Sequence, residues 1–239
     1  MEFSKKRADH RKDDQLRSLS VVKNVFPYAA GSVLFKLGNT KVLCAVTVTQ
    51  GVPPFLRGKK KGWLTAEYSM LPAATHARTQ REGVTLKRSG RSVEISRFLG
   101  RCLRTIVNLD SLGESTITID CDVLQADGGT RVASLCGAYL ALKNSPGLKH
   151  LLKDELAAVS VGIYEGTPLL DLDYKEDSSI DSDFSFVLTR SGSVIEVHGS
   201  AEKKGFSWDQ YTKIQELACK GAEEIFAFYA TLDKDGAIF

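Results

Sequence analysis

Hydrophobic and polar residues alternate along many short segments of the chain, and this period of two predicts β-strands. The clearest hairpin has the two-residue turn Gly38-Asn39, a pair typical of tight β-turns. Two further hairpins are predicted later in the chain, one turning near Glu165-Gly166 and one at Ser191-Gly192. The predicted strands cover residues 19–25, 32–37, 40–49, 63–70, 116–124, 157–164, 169–173, 184–189 and 194–198.

Apolar residues recur at helical spacing in three longer segments, which predicts helices over residues 92–107, over residues 130–143 and after Ser207. Ser207 and Gln210 form a capping-box pattern at the start of the last helix. This order of elements predicts an α+β fold with helices packed on mixed or antiparallel sheets. We expect a single domain over residues 1–239, and the repeated order of elements is compatible with an internal duplication, roughly residues 18–143 and 156–230.

A glycine-rich junction, Gln125-Ala126-Asp127-Gly128-Gly129-Thr130-Arg131, joins the central predicted strand to a helix. Glycines allow close approach of the backbone to a ligand, and a helix start presents unpaired N–H groups and the positive end of the dipole. Such a junction favours phosphate. A cation at Arg131 is unfavourable there unless an anion compensates it. A simple glycine turn before a buried helix remains the alternative.

Composition places few limits on function. The chain has 239 residues, 43% hydrophobic and 26% charged, as in ordinary globular proteins. We find neither a run of about 18 apolar residues nor a secretory signal, and we expect residues 1–18 to be a flexible or edge segment. The five cysteines are scattered, and four lie in apolar segments, which favours buried thiols in a reducing cytoplasm over a zinc site or disulfides.

Charge is unevenly distributed, although the net charge is only +3. Between residues 55 and 91, nine Lys or Arg residues stand against two acids, which predicts a polyanionic partner. Much of this charge lies in residues 71–90, which have no convincing period and are interpreted as a long functional loop that includes His76. Residues 171–183 carry six acids and one lysine.

Two aspartates of the acidic segment, Asp177 and Asp183, lie just ahead of the predicted strand at residue 184. Mg²⁺ is commonly held by one or two carboxylates together with substrate phosphates, so this pair could supply a magnesium site. Glu176 and Asp181 are also near, and spacing alone does not choose among the four. A solvated acidic turn is the alternative. Because the chain has no H-E-x-x-H motif, serine elbow or P-loop, a covalent nucleophile is not indicated, and His198 is interpreted as structural.

Long strings of residues along nearly the whole chain resemble the ribonuclease PH family, bacterial phosphorolytic 3′-to-5′ exoribonucleases that trim transfer-RNA precursors. These strings are RADHRKDDQLR (7–17), GSVLFKLGNT (31–40), VPPFLRG (52–58), GWLTAEYSMLP (62–72), GRSVEISRFLGRCLR (90–104), LGESTITIDCDVLQADGGTR (112–131) and DLDYKEDSSIDSD (171–183). The resemblance implies a fold of duplicated β-α units and assembly as a homohexamer, a trimer of dimers.

The resemblance also implies roles for individual residues. Asp177 and Asp183 would be the catalytic and metal-binding aspartates, with Mg²⁺ or Mn²⁺, and Arg78 and Arg81 would contact RNA. The implied activity is phosphate-dependent removal of 3′ nucleotides as diphosphates, in transfer-RNA and ribosomal-RNA processing, and its reverse is chemically allowed. Inorganic phosphate, the co-substrate, would bind Arg91, Gly129, Thr130 and Arg131.

Several positions depart from the pattern of the family. His10 replaces a common glycine, Ala73 a common arginine, and Phe184-Ser185 a typical Met-Asn pair. These changes bear on RNA affinity and substrate choice more than on chemistry, since the phosphate and aspartate positions remain filled. Two other functions stay open at this point. The chain could be a non-catalytic RNA-binding ring subunit of an exosome-like assembly, or a metal-dependent nuclease that uses water in place of phosphate.

Overall fold

The computed structural model describes residues 7–85 and 88–234 and contains two β-sheets. The first sheet has five strands in the order β1-β2-β3-β5-β4, and the second has four in the order β7-β6-β8-β9. The strands are β1 (Leu19–Lys23), β2 (Gly31–Leu37), β3 (Thr40–Gln50), β4 (Trp63–Met70), β5 (Ser115–Gln125), β6 (Leu156–Tyr164), β7 (Thr167–Leu170), β8 (Ser182–Thr189) and β9 (Val194–Ala201).

Neighbouring strands are antiparallel throughout both sheets except for β4 and β5, which run parallel. The first sheet is therefore mixed, as the sequence predicted. Parallel strands need a long connection, and here helix α2 (Gly90–Ile106) lies between them and packs on β4. The predicted hairpin of β2 and β3 is confirmed, and Gly38 adopts a φ of 57° in its turn.

Helix α3 (Thr130–Lys143) lies between the two sheets and contacts β2, β3 and β5 of the first and β6 of the second. Its side chains are buried on nearly every side, because it has a sheet on both faces. Helix α5 (Trp208–Lys234) covers the outer face of the second sheet at β6 and β7. Two one-turn helices, α1 (Glu82–Thr85) and α4 (Tyr174–Asp177), complete the α-helices of the described residues, which also contain two short 3-10 helices, Pro54–Leu56 and Lys149–Leu151. The predicted α+β class is confirmed, whereas the single domain and the internal duplication stay predictions.

Several strand boundaries differ from the prediction, and two of these differences concern the acidic segment. β7 was expected over residues 169–173, but it ends at Leu170 because Asp171 adopts a left-handed φ of 54°. β8 begins at Ser182, so Asp183 lies inside the strand rather than ahead of it. The segment of residues 71–90 is mostly irregular, as expected, although it contains α1, and residues 86 and 87 lie outside the described part.

The amino-terminal segment was expected to be flexible or to lie at an edge, and from residue 7 onward it lies at an edge: the Asp13 carbonyl oxygen accepts a hydrogen bond of 2.7 Å from the Leu170 N–H of β7, the edge strand of the second sheet. Arg7 and Arg17 are both buried, and each forms an ion pair with the acidic segment after β7. The expectation also covered residues 1–6, which lie outside the described residues. The sequence alone does not reveal that Arg7 and Arg17 are buried, because the acids with which they pair lie more than 150 positions away.

The start of α5 follows its sequence signal closely. Ser207 and Gln210 exchange reciprocal hydrogen bonds between side chain and backbone N–H, at 3.2 and 2.9 Å. Phe206 and Tyr211 contact each other with ring centroids 6.2 Å apart, as a hydrophobic staple does.

Buried thiols are confirmed at Cys44, Cys102, Cys121 and Cys136. Over the described ranges, none of the helices has the length and apolar character needed to cross a bilayer.

Candidate active site

A cavity of about 420 Å³ opens where the first turn of α3 meets α2 and the second sheet. Both predicted aspartates and all four predicted phosphate-binding residues lie on its wall. The structure therefore brings together two segments, separated by some 40 residues, that the sequence left unconnected. The residues that line the cavity and enter the argument below are Arg91, Gly129, Thr130, Arg131, Asp177, Asp183, Ser185 and Glu202.

The glycine-rich junction ends in two left-handed residues, Gly128 with a φ of 74° and Gly129 with a φ of 65°. Gly129 is the N-cap of α3, and it lines the cavity together with Thr130 and Arg131, the first residues of the helix, whose N–H groups have no partner within the helix. A Cβ at Gly128 would lie 2.5 Å from the carbonyl oxygen of Leu172. The junction therefore packs directly on the acidic segment, and only glycine fits this contact.

The two arginines of the cavity are held differently. Arg131 donates two hydrogen bonds of 2.8 Å to the carboxylate of Glu94 on α2, and its guanidinium lies 5.3 Å from the centre of the Phe98 ring. Glu94 thus provides the negative charge that we expected from a bound anion. Arg91 is exposed in the first turn of α2. Both arginines line the cavity.

A buried hydroxyl pair supports the start of α3. The Tyr68 hydroxyl on β4 lies 2.9 Å from the Thr130 hydroxyl, and both side chains are buried. Burial raises the pKa of Tyr68, while Thr130 and Arg91 oppose this rise. This contact fixes the first residue of α3 against the first sheet. No local pattern in the sequence pointed to Tyr68, because its partner lies 62 residues away.

The two aspartates share one acidic environment. Burial, and then the neighbouring charge of Asp177, raise the pKa of Asp183 to about 6, although Arg131 and His198 oppose this rise. Burial also raises the pKa of Asp177, against the opposing charges of Arg91 and Arg17. Each carboxyl is therefore easier to protonate than an ordinary aspartate. His198, interpreted above as structural, is exposed on β9 opposite Ser185.

The other two acids of the segment that spacing left as candidates, Glu176 and Asp181, have partners outside the cavity. Glu176 pairs with Arg7 at 2.7 Å and completes a capping box with Asp173. Asp181 accepts a hydrogen bond of 3.1 Å from the backbone N–H of Gly166. Asp177 and Asp183 remain as the aspartates on the cavity wall.

The arginines of the amino-terminal segment are functional candidates that residue-by-residue reasoning missed. Arg7 also donates to the carbonyl oxygens of Leu170 and Asp171, at 2.9 and 2.8 Å. Arg11 lies 3.5 Å from the Asp171 carboxylate. These contacts hold the acidic segment in position. The string RADHRKDDQLR was the available signal, but it was used only to support the resemblance.

The predicted RNA-contacting residues, Arg78 and Arg81, are exposed between β4 and α2 and do not line the cavity. Neither side chain has an ion pair among the described residues. Their guanidinium groups are therefore available to a ligand at the surface, outside the pocket that holds the aspartates.

The departures from the family pattern have distinct structural consequences. Phe184 is buried and packs edge-on against Phe206 at 4.7 Å, in space that Gly199 leaves on the neighbouring strand. Ser185 lines the cavity. His10 adopts a φ of 63°, a conformation that glycine tolerates better. Phe184 thus changes the packing behind the site rather than its polar surface.

The donor set of the cavity is compatible with a magnesium ion that retains water and substrate oxygens. Asp177, Asp183 and Glu202 place three carboxyl groups on the cavity wall, and the two aspartates match the one or two carboxylates that Mg²⁺ takes from proteins in phosphate sites. Within the described ranges, no group of three or more His, Cys, Asp or Glu side chains forms a closed metal cage. Asp177 and Asp183 therefore fit a metal site that substrate oxygens and water complete better than a structural metal site made of protein ligands alone.

Known proteins resemble this chain along most of its length. Ribonuclease PH of Neisseria meningitidis serogroup C is 49% identical over 223 residues, which cover 90% of the chain and 92% of that protein. Rice (Oryza sativa) Rrp46 superposes with a TM-score of 0.80 at 23% identity, over 95% of this chain and 99% of its own. A chain of the Archaeoglobus fulgidus exosome, solved with RNA bound to the active site, gives a TM-score of 0.81 at 22% identity, over 94% of this chain and 93% of its own.

The sequence also matches the 3′ exoribonuclease family in both of its parts. Domain 1 of the family matches residues 15–146, which contain the glycine-rich junction and both cavity arginines. Domain 2 matches residues 154–221, which contain Asp177 and Asp183. The cavity therefore lies where the two matched regions meet. On these matches, and on the 49% identity to ribonuclease PH, the chain belongs to the 3′ exoribonuclease family.

Proposed function

We propose that this protein is a phosphate-dependent 3′-to-5′ exoribonuclease that trims the 3′ ends of transfer-RNA precursors. The observation that carries the proposal is the cavity, where a helix start and two arginines face two aspartates. A helix start with arginines binds phosphate, whereas a nuclease that uses water needs no second anion site. The relatives named ribonuclease PH support the same activity.

The reaction is a displacement at phosphorus. An oxygen of inorganic phosphate bonds to the phosphorus of the last phosphodiester, and the bond from that phosphorus to the preceding 3′-oxygen breaks. The products are a nucleoside diphosphate and an RNA that is one nucleotide shorter with a free 3′-hydroxyl. The protein contributes mainly position and charge, as is usual for transfer at phosphorus.

Inorganic phosphate would bind the N–H groups at Gly129 and Thr130 together with Arg91 and Arg131. The hydrogen bonds from Arg131 to Glu94 fix the direction of its guanidinium before phosphate arrives. Pre-ordering of this kind removes part of the entropy cost of binding. We expect Glu94 to act through Arg131 rather than to contact phosphate.

Asp177 and Asp183 would hold Mg²⁺ or Mn²⁺, which when bound neutralises charge that develops on the phosphoryl oxygens. The leaving 3′-oxygen also needs a proton. The raised pKa values of Asp177 and Asp183 make either carboxyl group a better proton donor near neutral pH than an ordinary aspartate. Asp177 is more exposed than Asp183 and so is the more accessible donor, whereas Asp183 is fixed within β8.

RNA would approach over the basic surface that includes Arg78 and Arg81, with the 3′ end in the cavity. We also propose that the protein acts in the cytoplasm as a homohexamer, a trimer of dimers. The proposal of a hexamer depends on the family resemblance and on the ring-forming exosomes to which similar folds belong.

The decisive experiment is an exonuclease assay on a transfer RNA with a short 3′ extension, in Mg²⁺, with and without phosphate. Shortening that requires phosphate and yields nucleoside diphosphates is the expected result. Monophosphate products without phosphate would identify a hydrolase, and bound but uncut RNA would indicate a non-catalytic ring subunit. Asp183→Asn should abolish turnover and retain RNA binding, whereas the matched variant Asp181→Asn should keep full activity, since Asp181 only accepts from the Gly166 N–H.

A further inference from the structure

Two aromatic rings are stacked at the surface beside the proposed active site. The imidazole of His76 and the ring of Tyr174 have centroids 4.8 Å apart and planes inclined by 27°. His76 is exposed, and Tyr174, the first residue of α4, is 45% exposed. An exposed aromatic stack offers a flat π-face to a ligand with a flat ring.

The stack borders a second cavity of about 520 Å³, which the proposed chemistry does not use. Among the described residues that line it, Asp9, Asp127 and Asp173 stand against one lysine, Lys175. This negative excess disfavours a phosphate group. The cavity therefore suits an uncharged planar ring, such as a nucleobase, better than the RNA backbone.

The second cavity lies directly next to the first. Tyr174 and Asp177 are the first and last residues of α4, about 5 Å apart along the helix axis. The glycine-rich junction also borders both cavities, because Asp127 lines the second cavity and Gly129 lines the first. RNA whose 3′ end lies at the aspartates would pass the ring stack within its last few nucleotides.

The backbone of the segment that carries His76 contacts the glycine-rich junction. The backbone N–H of Ala126 donates to the carbonyl oxygen of Ala74 at 2.8 Å, which ties the segment of His76 to the glycine-rich junction. Position 73 is an exposed alanine on the same cavity, so no long side chain is present there to cover the rings. A preformed platform loses little entropy when a base stacks on it.

We propose that the rings of His76 and Tyr174 form a stacking platform for one nucleobase of the RNA substrate, a short distance upstream of the cleaved bond. The inference rests on the proposed function. Stacking accepts every base, because each base has a π-face, so the platform adds affinity without sequence preference. The phosphates flanking that base would face Arg78 and Arg81 on the same surface segment.

The test is an abasic scan of the substrate. Single abasic nucleotides are placed at successive positions from the 3′ end of a single-stranded RNA, and KM for RNA and for phosphate is measured with the wild-type protein. One upstream position is expected to raise the KM for RNA roughly fivefold or more, with the KM for phosphate unchanged. In Tyr174→Ala the KM of intact RNA rises by a similar factor, and the abasic position has no further effect.

Matched variants separate stacking from structure. Tyr174→Phe should behave like the wild type, and Tyr28→Ala should leave every KM unchanged, because Tyr28 is fully exposed and lies on neither cavity. The platform would be overturned, without affecting the proposal of phosphorolysis, if no abasic position raised the KM for RNA. The same conclusion would follow if the abasic position still raised that KM in Tyr174→Ala. Loss of the phosphate requirement in the wild type would instead overturn the proposed function.

Discussion

Arg17 and Asp171 form a buried, two-pronged ion pair across 154 positions of the chain. Nε donates to Oδ2 at 2.9 Å and Nη2 to Oδ1 at 2.7 Å, and both side chains are at most 5% exposed. The same guanidinium donates to the backbone carbonyl oxygens of Asp127 and Gly128. Arg17 therefore holds the glycine-rich junction and the acidic segment together, and residues of both segments line the proposed active site.

Arg17→Ala is expected to lower the free energy of unfolding by about 3–5 kcal/mol, because Asp171 would be left buried without its partner. The phosphate KM should rise as well, since the two segments lose their common support. Denaturant unfolding and steady-state kinetics measure both effects. As a control, Lys213→Ala breaks an exposed pair with Glu216 and should cost no more than about 1 kcal/mol. Equal losses in the two variants would contradict this role of Arg17.

Gly128→Ala should damage phosphate binding, whereas Gly192→Ala should not. Both glycines have a positive φ, 74° and 92°, so each alanine suffers backbone strain of about 1–3 kcal/mol. Only at Gly128 would the new Cβ also collide with Leu172 and Asp173, whereas nothing lies within 4 Å at Gly192. We expect the phosphate KM to rise at least tenfold in Gly128→Ala and to stay at the wild-type value in Gly192→Ala. The same KM in both variants would show that the junction does not shape the anion site.

The raised pKa of Asp183 predicts how stability depends on pH in the absence of metal. The folded-state pKa of about 6 lies above the ordinary value near 3.8, so the folded protein binds the proton more tightly than the unfolded chain. The cost of the buried carboxylate is absent below pH ~4 and fully present above pH ~6.

Asp183→Asn removes this cost, so in EDTA at pH 7 the variant should be more stable than the wild type by about 1–3 kcal/mol. The difference should disappear as the pH falls toward 4. Urea unfolding of both proteins at several pH values checks it. A difference that stays constant with pH would mean that Asp183 does not titrate as the geometry implies.

Replacing both Arg78 and Arg81 with alanine should weaken RNA binding and reduce its dependence on salt. Each lost phosphate contact lowers the slope of log K against log salt by about 0.7 for single strands. Titration of RNA binding between low and physiological salt measures this slope. Replacement of two exposed lysines elsewhere, Lys149 and Lys213, is the matched control. An unchanged slope in the arginine double variant would remove both residues from the RNA path.

Local sequence signals predicted the fold well where partners are close along the chain. The turn at Gly38-Asn39 and the cap at Ser207 depend on residues within a few positions, and both were predicted correctly. The left-handed turn at Asp171 was missed because it depends on Arg17, which no local pattern connects to it. The ion pair between Arg7 and Glu176 was missed for the same reason, because the two residues lie 169 positions apart.

The cavity itself could be predicted only in parts. The glycine-rich junction indicated an anion site, but the pairing of Arg131 with Glu94 depends on how α2 crosses α3. Spacing could not separate Asp177 and Asp183 from Glu176 and Asp181, because all four are acids within one short segment. In the structure Glu176 is bonded to Arg7 and Asp181 to the Gly166 N–H, whereas Asp177 and Asp183 line the cavity.

The position of α3 between the two sheets limits how the proposed site can move. All of its fourteen residues except Arg131 and Lys143 are buried, so the helix cannot tilt without repacking both sheets. Amide hydrogens in the middle of α3 should therefore exchange with solvent only when the whole protein unfolds. The single turn of α4 lacks such cover, and its amides should exchange faster. Protection gained when phosphate and RNA bind is then expected in α4 and the acidic segment, while exchange in α3 changes only as much as global stability does.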